Sequence, residues 1–416
     1  MALAPPGRPA NLIGDLQVSP LASGDDTIYL DHAATTPVDP EVLAAMLPYF
    51  SVRFGNPSSI YQLGQEAHAV LDAARASVAR VLACQPGEVL FTGGATESNN
   101  LALRGVAWQA RLSAAPGSRP PHLVTTQIEH HAVLATAEAL AQLGFDVTFV
   151  PPDATGIVDP AAIAAALRPE TCLVSVMYAN NETGAIQPVA EIGRIARAAG
   201  VPFHVDAVQA AGLLPLAVDE VGADLLSLSA HKFYGPKGVG ILYLRRDTPI
   251  SWQQTGGGQE QGRRGGTENV PGIVGLAASL EKCERMRTEY ASRCAELRDR
   301  LWDGIRSAVP DVALNGPPFG SGRLPNNLNL EIPGVQGETL LLGLDMEGVA
   351  ASAGSACTTG NSEPSHVLKS MGLSDARCRT SLRLTVGRSN TADEMDEAAD
   401  ILGEAVARTR ALAGVS

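Results

Sequence analysis

The sequence is short of positive charge: 31 lysines and arginines face 44 aspartates and glutamates, a formal net charge of -13 over 416 residues. That balance argues against a surface built for phosphate backbones or for anionic membranes, while leaving room for a local basic pocket around one small anion. Neither nucleic acid nor a membrane is expected as a partner. Cysteine is sparse too. Cys84, Cys172, Cys283, Cys294, Cys357 and Cys378 show none of the short paired spacings of a zinc site or a redox motif, so free thiols in a reducing compartment are expected, with no metal site. No apolar run reaches membrane-spanning length, and the opening MALAPPGRPANLIGDLQVSPLASGDD lacks the continuous apolar core of a signal peptide. The expectation is a cytoplasmic protein with a flexible N-terminal tail over residues 1–25. Internal repeats are also missing, as are low-complexity tracts beyond that tail.

What remains is ordinary globular material, 45% hydrophobic and 18% charged, enough for a large domain with a smaller companion. From about residue 86 to 245, seven short apolar runs (EVLFT, HLVTT, FDVTFV, TCLVSVM, PFHVD, ADLLSLS and GVGILYL) alternate with mostly Ala-rich helical patterns. This alternation predicts an α/β fold with a mainly parallel seven-stranded sheet covered on both faces. A charged helical stretch, LEKCERMRTEYASRCAELRDRLWDGIRSAV, then leads to NNLNLEI, GETLLLGLDMEG, SLRLTVG and a closing helix ADEMDEAADILGEAVARTRALA. These predict a small α+β unit. The expected division is a large domain over 26–285, its first residues packing on the small unit, and a small domain over 286–416.

In such sheets ligands sit beyond the carboxyl ends of the strands, so the residues after each apolar run are the ones to collect. After EVLFT come two glycines, then Ala95 and Thr96 opening a helix, which suits an anion but equally suits a plain chain reversal. HLVTT leads to His130 and His131, either of which could simply cap the next helix. LVSVMYA leads to Asn180 and Asn181, a pair that also forms turns readily. PFHV is followed by Asp206 and then Gln209, and a carboxylate at so apolar a position calls for a cation or donor. ADLLSLS ends on Ser229 and is followed by His231 and Lys232.

A phosphate cradle, an imidazole, an amide, a carboxylate and an amine at five strand ends together describe one ligand. Pyridoxal 5'-phosphate has a phosphate, an aromatic ring nitrogen that needs a carboxylate, and an aldehyde that needs a lysine. Lys232 is then the amine that holds the aldehyde, and Ser229 and His231 share the phosphate with Thr96.

The blocks YLDHAATTPV, FGNPSS, FTGGATESNN, EHHAVL, NNETGAIQP, HVDAVQ, SLSAHKFYGPKGVG, GRRGGTENV, SAGSACT and SLRLTVGR, in this order, resemble a cysteine desulfurase. Such enzymes belong to the class V aminotransferases of the pyridoxal-phosphate transferase fold type I, and the resemblance covers nearly the whole chain. It implies that Lys232 carries the cofactor, that Asp206 pairs with the ring nitrogen, and that Gln209 bonds the ring hydroxyl oxygen. It places His130 stacked on the ring and Asn181 beside substrate and cofactor, with Ala95, Thr96, Ser229 and His231 on the phosphate. Thr267 would reach the phosphate of a neighbouring subunit in a homodimer, and Arg383 would bind the carboxylate of L-cysteine. His32 and Ala33 differ from some relatives, at a position expected to line the site without chemistry.

The same resemblance gives Cys357 the sulfur, as a persulfide passed on to a scaffold or carrier protein for iron-sulfur cluster assembly or tRNA thiolation. Gly354, Gly360 and the small polar residues around Cys357 predict a mobile segment, which suits a thiol that must reach substrate and acceptor in turn. Its length resembles the long-loop branch of the family. Cys84 and Cys172 read as buried hydrophobes and Cys283 and Cys294 as helix residues. Cys378, near arginines, is expected on a loop with a thiol pKa open to lowering. A selenocysteine lyase or an aminotransferase of the same fold would share the cofactor site. Cys357 is the feature that separates them, since transamination has no use for such a thiol.

Overall fold

The computed structural model describes residues 27–353 and 363–413. Cys357 and the predicted tail over residues 1–25 lie outside them. Twelve strands are described: β1 Ile28–Tyr29, β2 Val89–Thr92, β3 His122–Thr126, β4 Asp146–Val150, β5 Thr171–Met177, β6 Phe203–Asp206, β7 Leu225–Ser229, β8 Gly240–Leu244, β9 Ala313–Leu314, β10 Asn327–Glu331, β11 Val349–Ala350 and β12 Ser381–Thr385. All seven strands predicted between residues 86 and 245 join one sheet, in the order β2-β8-β7-β6-β5-β3-β4. Only β8 runs against the rest, pairing antiparallel with both β2 and β7.

The strands read as continuous apolar runs because both faces are buried. Alternate residues feed two cores. Leu90, Leu123, Leu173, Leu225 and Leu242 pack with residues of the helices Ala95–Ser113 and His131–Gln142 on one face. Phe91, Val124, Val174, Leu226 and Ile241 face the other core, with residues of the helices Gln62–Leu82, Val189–Ala198 and Val270–Ala308. The consequence for function is geometric: Thr92, Thr126, Met177, Asp206 and Ser229 all end their strands on one edge of this sheet.

A second sheet, β12-β10-β9, is antiparallel throughout. With the helices Gly337–Met346 and Ala392–Ala413 it matches the α+β unit read from the sequence. β1 pairs in parallel with β11, and Asp31 bridges Thr385 beside β12, which ties the start of the described chain to its end. The helix Val270–Ala308 is a single element of 39 residues and runs unbroken through the expected boundary at 285–286. Among the described residues, no helix is long and apolar enough to cross a membrane.

Candidate active site

Beyond the strand edge opens a cavity of about 760 Å3, lined by ten of the predicted residues: Ala95, Thr96, His130, Asn181, Asp206, Gln209, Ser229, His231, Lys232 and Arg383. Thr267 is exposed and is not among the lining residues.

Each side chain is placed by the end of an element. Gly94 precedes the helix Ala95–Ser113 with φ at +148°, a backbone state that favours glycine, and the atom nearest to a side chain built there is Ser229 Oγ. No side chain caps this helix, so the start carrying Ala95 and Thr96 keeps its anion-binding character. Asp206 closes β6 at 5% exposure. Its Oδ2 accepts from Asn99 Nδ2 at 2.7 Å and its Oδ1 from the Val208 N–H at 3.1 Å. Both donors are neutral, which suits this buried carboxylate to a cationic partner.

Lys232 follows β7, and its Nζ donates to the carbonyls of Ala33 and Ala34, each at 2.6 Å. Gln209 also donates to the Ala33 carbonyl, at 3.0 Å. The Ala33 and Ala34 carbonyls thus hold the Lys232 amine and the Gln209 amide. His231 lies 3.1 Å from Thr35 through Nδ1, and burial, with Lys232 and Lys237 adding to it, pushes its pKa down to about 4. It meets the site as a neutral imidazole. His130 does both things its position allowed: its Nδ1 accepts from the Ala132 N–H at 3.0 Å, capping the helix His131–Gln142, while the residue lines the cavity. Burial lowers its pKa, and the capping bond leaves the neutral ring's proton on Nε2.

Asn180 and Asn181 also divide the two readings. Asn180 builds the turn, accepting from the Glu182 and Thr183 N–H groups at 2.9 Å each and donating to the Ile128 carbonyl. Asn181 lines the cavity, and its carbonyl accepts from Arg383 Nη1 at 3.1 Å. Arg383, on β12, is 3% exposed, and its Nη2 donates to Asp31 Oδ1 at 2.7 Å.

Sequence reasoning missed Asn99 and Asp31. Asn99 stands one helical turn after Ala95 in GGATESNN, a spacing that puts both on the same side of the helix. Asp31 lies in YLDHAATTP, where nothing local marks it as a partner of Arg383. One reading is corrected. Cys378 sits on the helix Asp375–Arg379, not a loop, and burial raises its thiol to about 11 despite the nearby arginine.

Glu129, just before His130, is fully buried. Its Oε1 accepts from Thr126 Oγ1 and the Met177 N–H, and burial pushes its carboxyl from 4.5 up to about 8. The folded chain therefore holds a proton that the unfolded chain releases, and stability falls as pH rises from about 4.5 to about 8. Glu129→Gln should remove this decline. Urea unfolding is expected to show the variant gaining on the parent protein steadily between pH 5 and pH 8; a constant difference would mean that Glu129 ionises normally.

The residues fit a vitamin B6 cofactor: an uncapped helix start with a glycine before it, a buried carboxylate held by neutral donors, and an amine, all lining one cavity. This is the site of a pyridoxal-phosphate enzyme on a mainly parallel sheet. The aminotransferase class-V model matches residues 28–397, and the chain belongs to that family. It is 47% identical to cysteine desulfurase IscS of Anaeromyxobacter dehalogenans over 386 residues, 92% of this chain and 93% of that protein. A solved NifS-like protein is 37% identical with a TM-score of 0.85, covering 92% of this chain and 100% of its own. The structure of SspA in complex with cysteine is 35% identical with a TM-score of 0.73, covering 88% and 100%. Within the family, the chain is a cysteine desulfurase that depends on pyridoxal 5'-phosphate. The aminotransferase and selenocysteine lyase alternatives are not favoured.

Proposed function

We propose that Lys232, Asp206 and Arg383 serve, in turn, the cofactor's aldehyde, its ring nitrogen and the carboxylate of L-cysteine, and that Cys357 takes the sulfur. The observation that carries this reading is the convergence of Lys232, Asp206 and Arg383 on one cavity from β7, β6 and β12. Pyridoxal 5'-phosphate supplies, when bound, an electron-withdrawing ring that acidifies the alpha carbon of an attached amino acid. Asp206 holds a proton on the ring nitrogen, and Asn99 keeps that carboxylate aimed. Gln209 bonds the ring hydroxyl, and the helix start at Ala95 and Thr96, with Ser229 and His231, holds the phosphate. His130 would lie against the ring as a neutral imidazole, and Asn181 would border the substrate.

Lys232 would be placed to move the alpha proton of the substrate. The Cys357 thiolate then forms a bond to the substrate sulfur as the carbon-sulfur bond breaks. The electrons of that bond stay on the beta carbon, which takes up a proton; a proton is returned to the alpha carbon, and L-alanine leaves with a persulfide on Cys357. From there the sulfur passes to a thiol of a scaffold or carrier protein serving iron-sulfur cluster assembly or thiolation.

A homodimer completes the site in this reading. Exposed Thr267 lies three residues before the helix Val270–Ala308, against which the helices Pro40–Met46 and Pro48–Ser51 pack. Close by in sequence, Phe50, Val52, Phe54 and Ile60 are 61%, 72%, 65% and 90% exposed. So much apolar surface is suited to cover by a second copy, which would bring Thr267 to the partner's phosphate.

Arg383→Lys tests the substrate assignment. A point charge cannot replace a two-pronged contact, so the KM for cysteine should rise about tenfold or more while kcat changes less. An unchanged KM in steady-state assays would remove Arg383 from the substrate.

A further inference from the structure

Arg383 is buried, and a buried guanidinium is costly unless its charge is balanced. Asp31 balances it, with Oδ1 2.7 Å from Nη2, while the Asn181 carbonyl occupies Nη1 at 3.1 Å. Nε is buried and has no hydrogen-bond partner among the described residues. The guanidinium has five donors, and these two contacts leave the Nε edge unengaged.

Asp31 is itself held firmly. Its carbonyl accepts from Tyr29 Oη at 3.0 Å, and its peptide bridges Thr385, two residues along β12 from Arg383. The next residues, Ala33 and Ala34, are those whose carbonyls hold Lys232. One short segment therefore fixes both the guanidinium, through a side chain, and the reactive amine, through its backbone.

We propose that Asp31 is a positioning residue that fixes which edge of Arg383 meets the substrate carboxylate and, by its own charge, limits how tightly that carboxylate is held. The inference rests on Arg383 being the carboxylate-binding residue. A substrate carboxylate bound at Arg383 lies near the Asp31 charge, and like charges at such separations repel strongly where water is scarce. Asp31 thus sets an affinity loose enough for the product, L-alanine, to leave.

Two variants separate orientation from charge. Asp31→Asn keeps the shape and an oxygen for Nη2 but removes the charge; Asp31→Ala removes both. The readout is the Kd for L-alanine, from its perturbation of the cofactor absorbance of the holoenzyme, together with the kcat/KM ratio of cysteine to cysteamine, which lacks the carboxylate. Asp31→Asn should bind L-alanine about tenfold more tightly. Asp31→Ala, with the fork unfixed, should bind it about tenfold more weakly and lose most of the preference for cysteine over cysteamine. If Asp31→Asn leaves the L-alanine Kd and the ratio as in the parent protein while Arg383→Lys alters both, Asp31 has no such role. If Arg383→Lys also leaves the ratio unchanged, the underlying reading of Arg383 fails instead. Should Asp31→Ala not fold, Asp31→Asn alone decides the matter.

Discussion

Lys232→Ala is expected to purify without the yellow absorbance of the parent protein and to stay colourless after dialysis against pyridoxal 5'-phosphate. The amine lies where only a built site would put it: between two backbone carbonyls at 2.6 Å, facing a cavity that also holds Asp206. No other side chain there can both attach the cofactor and move a proton, except Lys237, which also lines the cavity. Lys237→Ala is therefore the control and should keep the colour. Loss of a positioned proton carrier lowers rates by about 10^2- to 10^4-fold, and alanine formation by Lys232→Ala should fall at least that far. A variant that kept the normal band would place the covalent attachment elsewhere.

Cys357→Ser has the second large effect, and it separates binding from sulfur transfer. The variant should keep its colour, because every predicted cofactor contact but Thr267 is drawn from the described cavity, and Cys357 is not one of them. It should respond to added cysteine with the same spectral change as the parent protein. It should not form a protein-bound persulfide, because a serine oxygen at neutral pH is neither a thiolate nor able to hold sulfane sulfur. Alanine formation at the full parent rate in the presence of reductant would deny Cys357 this role.

Much of this was legible in the sequence for a physical reason. A sheet buried on both faces writes its strands as unbroken apolar runs, so seven strands could be read directly, and the residues at the ends of five of them marked the ligand edge. The two-residue strands β1, β9 and β11 carry too short a pattern to be seen. The helix Val270–Ala308 was recognised in its charged half, while its apolar start, VPGIVGLAASL, packs into the core and lacks an amphipathic signature. Asp31 and Asn99 were missed because they act through other side chains, across 352 and 107 positions of sequence, and nothing local announces such a contact. Cys378 misled because neighbouring arginines suggest a lowered thiol pKa, whereas burial, which sequence shows poorly, dominates. Asn180 and Asn181, ambiguous as a pair, resolved into a turn former and a residue that lines the cavity.

The most direct measurement is incubation of the cofactor-loaded protein with L-cysteine in the absence of reductant, followed by mass spectrometry of the small-molecule products and of the peptide containing Cys357. L-alanine should appear together with one added sulfur on that peptide, both lost in Lys232→Ala. Alanine without sulfur on Cys357, or sulfur carried by another cysteine, would contradict transfer to Cys357.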